Sequence, residues 1–223
     1  MNKVVITIDG PAASGKGSLS KKISEEFNFF YMETGIYYRG FASLFCKNQV
    51  NTLDLPYFIS NLNVTDFKEY IINNNKILYS PKVTKLASNL AKNKEIRAFI
   101  VKIQQDMIIT LEKKFNGIIL EGRDCGSVVA PKADLKFYLT ASLKVRAERR
   151  FNQFVKDKKD ISYEQVLSDL RERDVQDKNR KHSPLQKPKG AVVIDNSDYN
   201  FKEMINIVKN IIFSRIPTLK SKI

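Results

Sequence analysis

Hydrophobic positions along this chain follow two rhythms. Short, mostly apolar runs, rich in β-branched and aromatic residues, recur at 4–8, 29–32, 117–121, 135–139 and 191–195. Runs of that length, several of them bounded by Gly, Pro or Asp, predict strands buried on both faces. Between the runs the apolar spacing changes to helical. Leu19, Ile23 and Phe27 share one helix face, 36–45 reads as a helix, and 143–155 reads as a basic one. Ser162 with Gln165, and Asn200 with Glu203, have the spacing of capping boxes. They open one helix running toward Asn179 and a last one with Phe201, Met204, Ile205, Val208 and Ile212 inward. Strands alternating with helices predict an α/β fold with a parallel sheet covered on both faces.

The block 51–110 breaks this alternation. Segments 64–67, 70–72 and 76–79 predict short strands, the last two joined by an asparagine-rich hairpin turn, and 83–115 predicts two helices parting near Asn93. The block reads as an insert in a core formed by 1–50 and 111–223.

Composition narrows the class. With 223 residues, 43% hydrophobic and 28% charged, the chain suits one globular domain carrying an insert. Two cysteines, Cys46 and Cys125, and one histidine, His182, exclude a disulfide framework, a four-cysteine zinc site and a histidine-rich metal site. No apolar run reaches the roughly 18 residues of a membrane span, and the first one is short for a signal peptide, so the expected compartment is the cytoplasm. The formal charge is +14, from 38 basic and 24 acidic residues. An anionic partner would explain it. The accompanying abundance of Asn and Ile points instead to codon usage for most lysines, so the basic residues to weigh are those inside motifs.

Gly10-Pro11-Ala12-Ala13-Ser14-Gly15-Lys16-Gly17-Ser18 lies between the first strand and the first helix, where a P-loop belongs. Its glycines let successive N–H groups turn inward on a triphosphate, the helix adds its positive end, and Lys16 can reach the β- and γ-phosphates. Gly17 stands where most P-loops carry Ser or Thr, a variant typical of nucleoside monophosphate kinases. Asp9 is either structural or close to the transferred phosphate. A GTPase would need D-x-x-G and N-K-x-D motifs, which the chain lacks. Arginines instead mark the ends of core elements. Arg39 lies one turn into the helix after Thr34, Gly122-Arg123-Asp124 follows the third strand, and Arg173, Asp177 and Arg180 have the spacing of one helix face. Taken singly, these are an ordinary turn and a surface ion pair. Together with the P-loop they outline a phosphoryl-transfer site.

With these residues in view, the chain resembles the bacterial cytidylate kinases from Ile6 to about Asp195. The resemblance is carried by Gly10 to Ser18, Glu33-Thr34-Gly35 with Arg39, Glu121-Gly122-Arg123-Asp124-Cys125-Gly126-Ser127-Val128-Val129, Arg173-Asp174 with Asp177-Lys178-Asn179-Arg180, and Ser183-Pro184-Leu185. It implies a P-loop NTPase three-layer sandwich with a five-stranded parallel sheet, an NMP-binding insert bearing a small antiparallel sheet at 64–80, and a short lid at about 151–165. It also implies phosphorylation of CMP and dCMP by ATP with Mg²⁺, in a monomer that takes no nucleic acid and inserts in no membrane. Lys16, Arg123 and Arg180 would be catalytic, and Gly10 through Ser18 would bind ATP. Thr34 and Arg39 would meet the monophosphate, Ser88, Arg97 and Asp124 the cytosine, and Arg173 and Asp177 the sugar. No side chain is assigned as a direct metal ligand. Departures from the family pattern fall at Ser18, Glu33, Ile36, Cys125, Asn196 and in a shortened insert. The remaining readings are another P-loop small-molecule kinase (UMP, AMP or shikimate type) and, supported by net charge alone, a nucleic-acid-binding ATPase.

Overall fold

The computed structural model describes residues 3–158 and 160–222. Met1, Asn2 and Lys159, the last of them in the charged loop 156–160 and the expected lid, lie outside the described residues, as does Ile223. Along the chain run β1 (Val4–Asp9), α1 (Lys16–Phe27), β2 (Phe30–Glu33), α2 (Gly35–Lys47), α3 (Leu55–Asn61), α4 (Val64–Asn73), α5 (Asn75–Leu78), α6 (Pro81–Leu90) and α7 (Lys94–Glu112). There follow β3 (Gly117–Gly122), β4 (Leu135–Thr140), α8 (Leu143–Lys156), α9 (Tyr163–Asn179), β5 (Val192–Asp195) and α10 (Phe201–Arg215). No helix among the described residues is long and apolar enough to cross a membrane. The chain divides into two compact units, Met1–Met32 with Leu111–Ile223, and Glu33–Thr110.

The first unit is built on a parallel sheet in the order β2-β3-β1-β4-β5. β1 and β3 are buried at every position, which only inner strands of a covered sheet can be. The register pairs Asp9 with both Gly122 and Tyr138, so β1 and β3 end level at one edge and β4 runs two residues further, to Thr140. On one face, Val4, Ile6 and Ile8 of β1 pack with Leu19, Ile23 and Phe27 of α1 and with Met204, Ile205, Val208 and Ile212 of α10. Phe201, expected inward with that set, is 51% exposed because it is the first residue of α10, next to the cap. The Asn200–Glu203 capping box is complete in both directions. At α9 the Ser162 hydroxyl accepts from the Gln165 N–H.

A feature absent from the sequence reading follows β3. Residues Cys125–Val129 form a single wide helical turn, in which the Ala130 N–H reaches back to the Cys125 carbonyl at 2.7 Å. Such five-residue closures are rare and recur at functional sites.

The second unit corrects the reading of 64–80. No hairpin forms there, and the segment is helical, as α4 and α5. The Asn63 side chain accepts from the N–H groups of Thr65 and Asp66, which starts α4 at the point where a strand was expected. Phe67 and Ile71, four apart, are both buried against α2. A Cβ on Gly40 of α2 would lie 2.5 Å from Ile71 Cγ1, so the absence of a side chain there admits this packing. The asparagines 73–75 end one helix and begin the next instead of forming a hairpin turn. The separation of four between Phe67 and Ile71 fits either period, and contact with α2 decides between them. The two helices parting near Asn93 do form, with the Asn93 side chain accepting from the N–H groups of Glu95 and Ile96. Ring contacts of Phe41 with Phe58 and Phe99, at 5.6 and 6.2 Å, complete this second core.

Glu69 is exposed in the middle of α4, whereas the sequence reading placed it between two strands. Glu69→Pro should lower the unfolding free energy by about 3 kcal/mol by breaking that helix. Urea denaturation with circular dichroism provides the check. Unchanged stability would mean that the segment is not helical.

Candidate active site

At the level edge of the sheet the chain leaves β1 through a loop that only certain backbones allow. A Cβ on Gly10 would sit 2.0 Å from the Leu139 carbonyl oxygen, so no side chain fits there. Gly15 has φ +88, the left-handed region that glycine enters without strain, and it stands at the N-cap of α1. The Ser14 hydroxyl is buried without a hydrogen-bond partner among the described residues. An unsatisfied buried donor beside the start of a helix is suited to an oxyanion.

Lys16 is the first residue of α1, and its side chain is buried. Its ammonium donates to the Pro11 carbonyl at 3.0 Å and lies 3.3 Å from Glu121 Oε1 at the end of β3. The other oxygen of Glu121 accepts from the Tyr31 hydroxyl at 3.3 Å. Burial and the nearby Arg123 lower the Lys16 pKa to about 8, with Glu121 opposing and Arg173 adding to the fall. Even with its carboxylate partner, this lysine is short of negative charge.

Three arginines gather about Asp177. Arg123 Nε donates to Asp177 Oδ2 at 2.9 Å, and Arg180 Nη1 lies 3.7 Å from Oδ1. Burial would raise the Asp177 pKa, but Arg123, Arg173 and Arg180 outweigh it and hold the carboxyl below its ordinary value. The expected single face of Arg173, Asp177 and Arg180 needs amending. Arg173 and Asp177 share α9, while Arg180 is the first residue beyond it, in extended conformation, with Nε donating to the Ser183 carbonyl. A turn after the helix, and not the helix period, brings Arg180 back to Asp177.

Asp9 proves to be an anchor. Its two carboxylate oxygens accept from the N–H groups of Cys125 and Gly126, each at 2.8 Å. These bonds tie the end of β1 to the wide turn and so fix Arg123 and the buried Asp124 just before it. Burial, aided by Asp124, pushes the Asp9 carboxyl up to about 6 against those two bonds.

Several working contacts had no signal in the sequence. Arg146 of α8 donates to the Ala12 carbonyl in the loop at 3.1 Å and grips both oxygens of Asp174. Arg149 holds Asn196 by side chain and carbonyl, and the Asn196 amide donates to the Ser14 carbonyl at 2.8 Å. Each pairs residues from distant elements, so spacing could not reveal it. In the sequence, Asn196 stands only as a departure from the family pattern and Asp174 only as part of it.

The other site candidates lie on the second unit. The Thr34 carbonyl at the start of α2 accepts from the buried Gln104 at 3.0 Å. Arg39 pairs with Glu33 and lies over the Tyr79 ring. Ser88 is half-buried on α6. Arg97 is buried on α7, where it donates to the Ala91 carbonyl and lies over the Tyr38 ring.

A strand, a glycine loop and a helix headed by a buried lysine, on a five-stranded parallel sheet, define a P-loop phosphotransferase. The family model described as cytidylate kinase matches residues 6–214, and this chain belongs to that family. A cytidylate kinase of Fusobacterium nucleatum is 34% identical, covering 93% of this chain and 96% of the relative. One of Clostridium botulinum is 36% identical, covering 95% and 99%. Solved structures share the fold at low identity. One from Thermus thermophilus matches with a TM-score of 0.53 at 13% identity over 97% of this chain and 99% of its own, and one from Eubacterium ventriosum with 0.56 at 10% over 95% and 99%.

Asp177→Ala should cost about 3–5 kcal/mol of folding stability near neutral pH, since it strands buried guanidinium charge. The folded pKa of Asp177 lies below its ordinary 3.8, so its contribution is complete above that value and fades as pH falls through the folded one. Urea titrations should give equal wild-type-to-variant gaps at about pH 7 and pH 5 and a smaller gap near pH 3. A gap of the same size at all three would refute the charge pairing.

Proposed function

We propose that this protein transfers the γ-phosphoryl group of ATP to CMP and dCMP. The observation that carries the reading is the buried Lys16 ammonium at the head of α1, 3.0 Å from the Pro11 carbonyl of the glycine loop and 3.3 Å from Glu121, where burial and the charges of Arg123 and Arg173 lower its proton affinity. Such an arrangement is costly when empty and favourable around a polyphosphate. The family membership selects the substrate class.

Phosphoryl transfer asks little covalent chemistry of the protein; it requires in-line positioning and charge stabilisation. The loop N–H groups, the Ser14 hydroxyl and Lys16 hold the donor's β- and γ-phosphates. Arg123 and Arg180, kept in place by Asp177, act on the charge that spreads over the transferred group. Arg39 and Thr34 take the phosphate end of the acceptor, Arg173 and Asp177 its sugar, and Ser88, Arg97 and Asp124 its base. Mg²⁺ is proposed to bind through nucleotide phosphates and water, where it would neutralise charge on the β- and γ-oxygens. The segment 151–165 is proposed as a lid that excludes water, so that ATP is not hydrolysed. The working form is proposed to be a monomer that takes no nucleic acid.

A coupled ADP-release assay over CMP, dCMP, UMP, AMP, GMP and dTMP tests the substrate reading. CMP and dCMP should lead UMP by about 100-fold or more in kcat/KM, because Asp124 can accept from the cytosine amino group but repels the uracil carbonyl. Asp124→Asn should narrow the gap, mostly by lowering activity on CMP. A wild-type enzyme that uses UMP as well as CMP, or a ratio untouched by the substitution, would overturn the role of Asp124.

Lys16 supplies a second test. With its pKa near 8, it is mostly neutral at pH 8.5 in the free protein. A bound polyphosphate favours the ammonium, so ATP binding should take up a measurable fraction of a proton there. ATP affinity should accordingly fall as pH rises through 8. Calorimetry at pH 8.5 in two buffers of different ionisation enthalpy measures the uptake. No uptake would mean that Lys16 does not meet the phosphates.

A further inference from the structure

Arg39 is held on the second unit by two residues far apart in sequence. Its Nη1 pairs with Oε1 of Glu33 at the end of β2. Its guanidinium carbon lies 4.6 Å from the centre of the Tyr79 ring. The Tyr79 hydroxyl in turn donates to Oε2 of the same Glu33, at 2.6 Å. The three side chains form a closed set, with a carboxylate on one corner of the guanidinium, an aromatic face against its plane, and a hydroxyl joining the two. Arg39 and Glu33 are 18% and 21% exposed, so the set is partly desolvated yet open to a ligand. Partial desolvation is where a cation–π contact gains strength.

The backbone on both sides of Tyr79 is fixed. Leu78 is fully buried, and the Ser80 hydroxyl caps α6 by accepting from the Val83 N–H. The ring is therefore placed by the helical arrangement of 64–80, and an antiparallel hairpin there would place it differently. A guanidinium has five N–H donors, and Glu33 engages one nitrogen. The Nε and Nη2 edge remains, with the fork geometry that receives two oxygens of a phosphate.

We propose that Tyr79 is a positioning residue for the acceptor phosphate. Its ring holds the plane of Arg39 and its hydroxyl holds Glu33, so the free edge of the guanidinium is set before the nucleotide arrives. The proposal rests on the reading that Arg39 takes the acceptor's phosphate. Glu33 serves as the counter-charge that fixes Arg39, and the phosphate dianion adds to the opposite edge without displacing it. A tyrosine acting in this way lowers the ordering that binding would otherwise require.

Steady-state kinetics with CMP varied at saturating ATP, and the reverse, test this in Tyr79→Leu, Tyr79→Phe, Arg39→Ala and the Arg39→Ala/Tyr79→Leu double variant. Tyr79→Leu should raise the KM for CMP about 5- to 10-fold and leave the KM for ATP within about twofold. Tyr79→Phe keeps the ring and should stay within about threefold of wild type. On the Arg39→Ala background, Tyr79→Leu should add less than about twofold, because the residue it acts through is gone. If Tyr79→Leu has its full effect on that background, or matches Tyr79→Phe, the proposal fails while the role of Arg39 stands. If Arg39→Ala alone leaves CMP kinetics unchanged, the reading of Arg39 fails and the proposal falls with it. Tyr79 is 43% exposed, so loss of fold is not expected, and Tyr79→Gln, which also lacks the ring, takes the place of the Leu variant with the same expected outcomes should that variant unfold.

Discussion

Keeping a lysine ammonium charged inside the protein, beside two arginines, is the requirement that organises the first unit. Water would stabilise such a charge, and burial removes that help. The sheet supplies part of the compensation by ending β1 and β3 level, which sets Glu121 against Lys16. Helix α9 supplies another part by carrying Asp177 to Arg123. The compensation stays incomplete, as the lowered pKa of Lys16 records. Incomplete neutralisation is what gives a pocket its preference for a highly charged anion over water. A structure that fully paired these cations would be more stable when empty and would bind a triphosphate less tightly.

Backbone placement around this charge is handled by polar side chains from outside the loop. Asn196 takes the Ser14 carbonyl and Arg146 takes the Ala12 carbonyl, which fixes the loop backbone at two points. Asp9 performs the same service across the sheet by holding two N–H groups of the wide turn. Its raised pKa means that ionisation near neutral pH works against folding, and stability from this group falls as pH rises through about 6. The two short hydrogen bonds offset that cost and fix where Arg123 and Asp124 begin. Arg146 and Arg149, both on α8, place the loop under the control of the helix that leads into the proposed lid.

In the second unit, a different device holds a similar residue. Arg39 is oriented by an aromatic face and a carboxylate, and both are steadied by helices packed on α2. Gly40, next to Arg39 in the chain, admits Ile71 and Phe67 of α4 against α2, so the core of the unit and the arginine are set by adjacent residues of one helix.

The residues that carry chemistry were legible in the sequence because each stands at a fixed distance from a strand end or helix start. Gly10 to Ser18 and Gly122-Arg123-Asp124 could be placed at the edge of a parallel sheet from spacing, and the sheet and its helices formed where the apolar rhythm put them. What spacing could not reach is whatever depends on contact between distant segments. Phe67 and Ile71 have a spacing compatible with either period, and burial against α2 favours the helix. Arg180 reaches Asp177 through a turn and not through the helix period. The grip of Arg146 and Asn196 on the loop, the role of Asp9, and the meeting of Tyr79 with Arg39 depend on three-dimensional proximity across up to 182 residues of chain. Local sequence determines which groups a segment offers and which backbone it prefers. Only packing decides which of those groups meet, because the free energy of meeting comes from water excluded and charges paired by residues the segment itself does not contain.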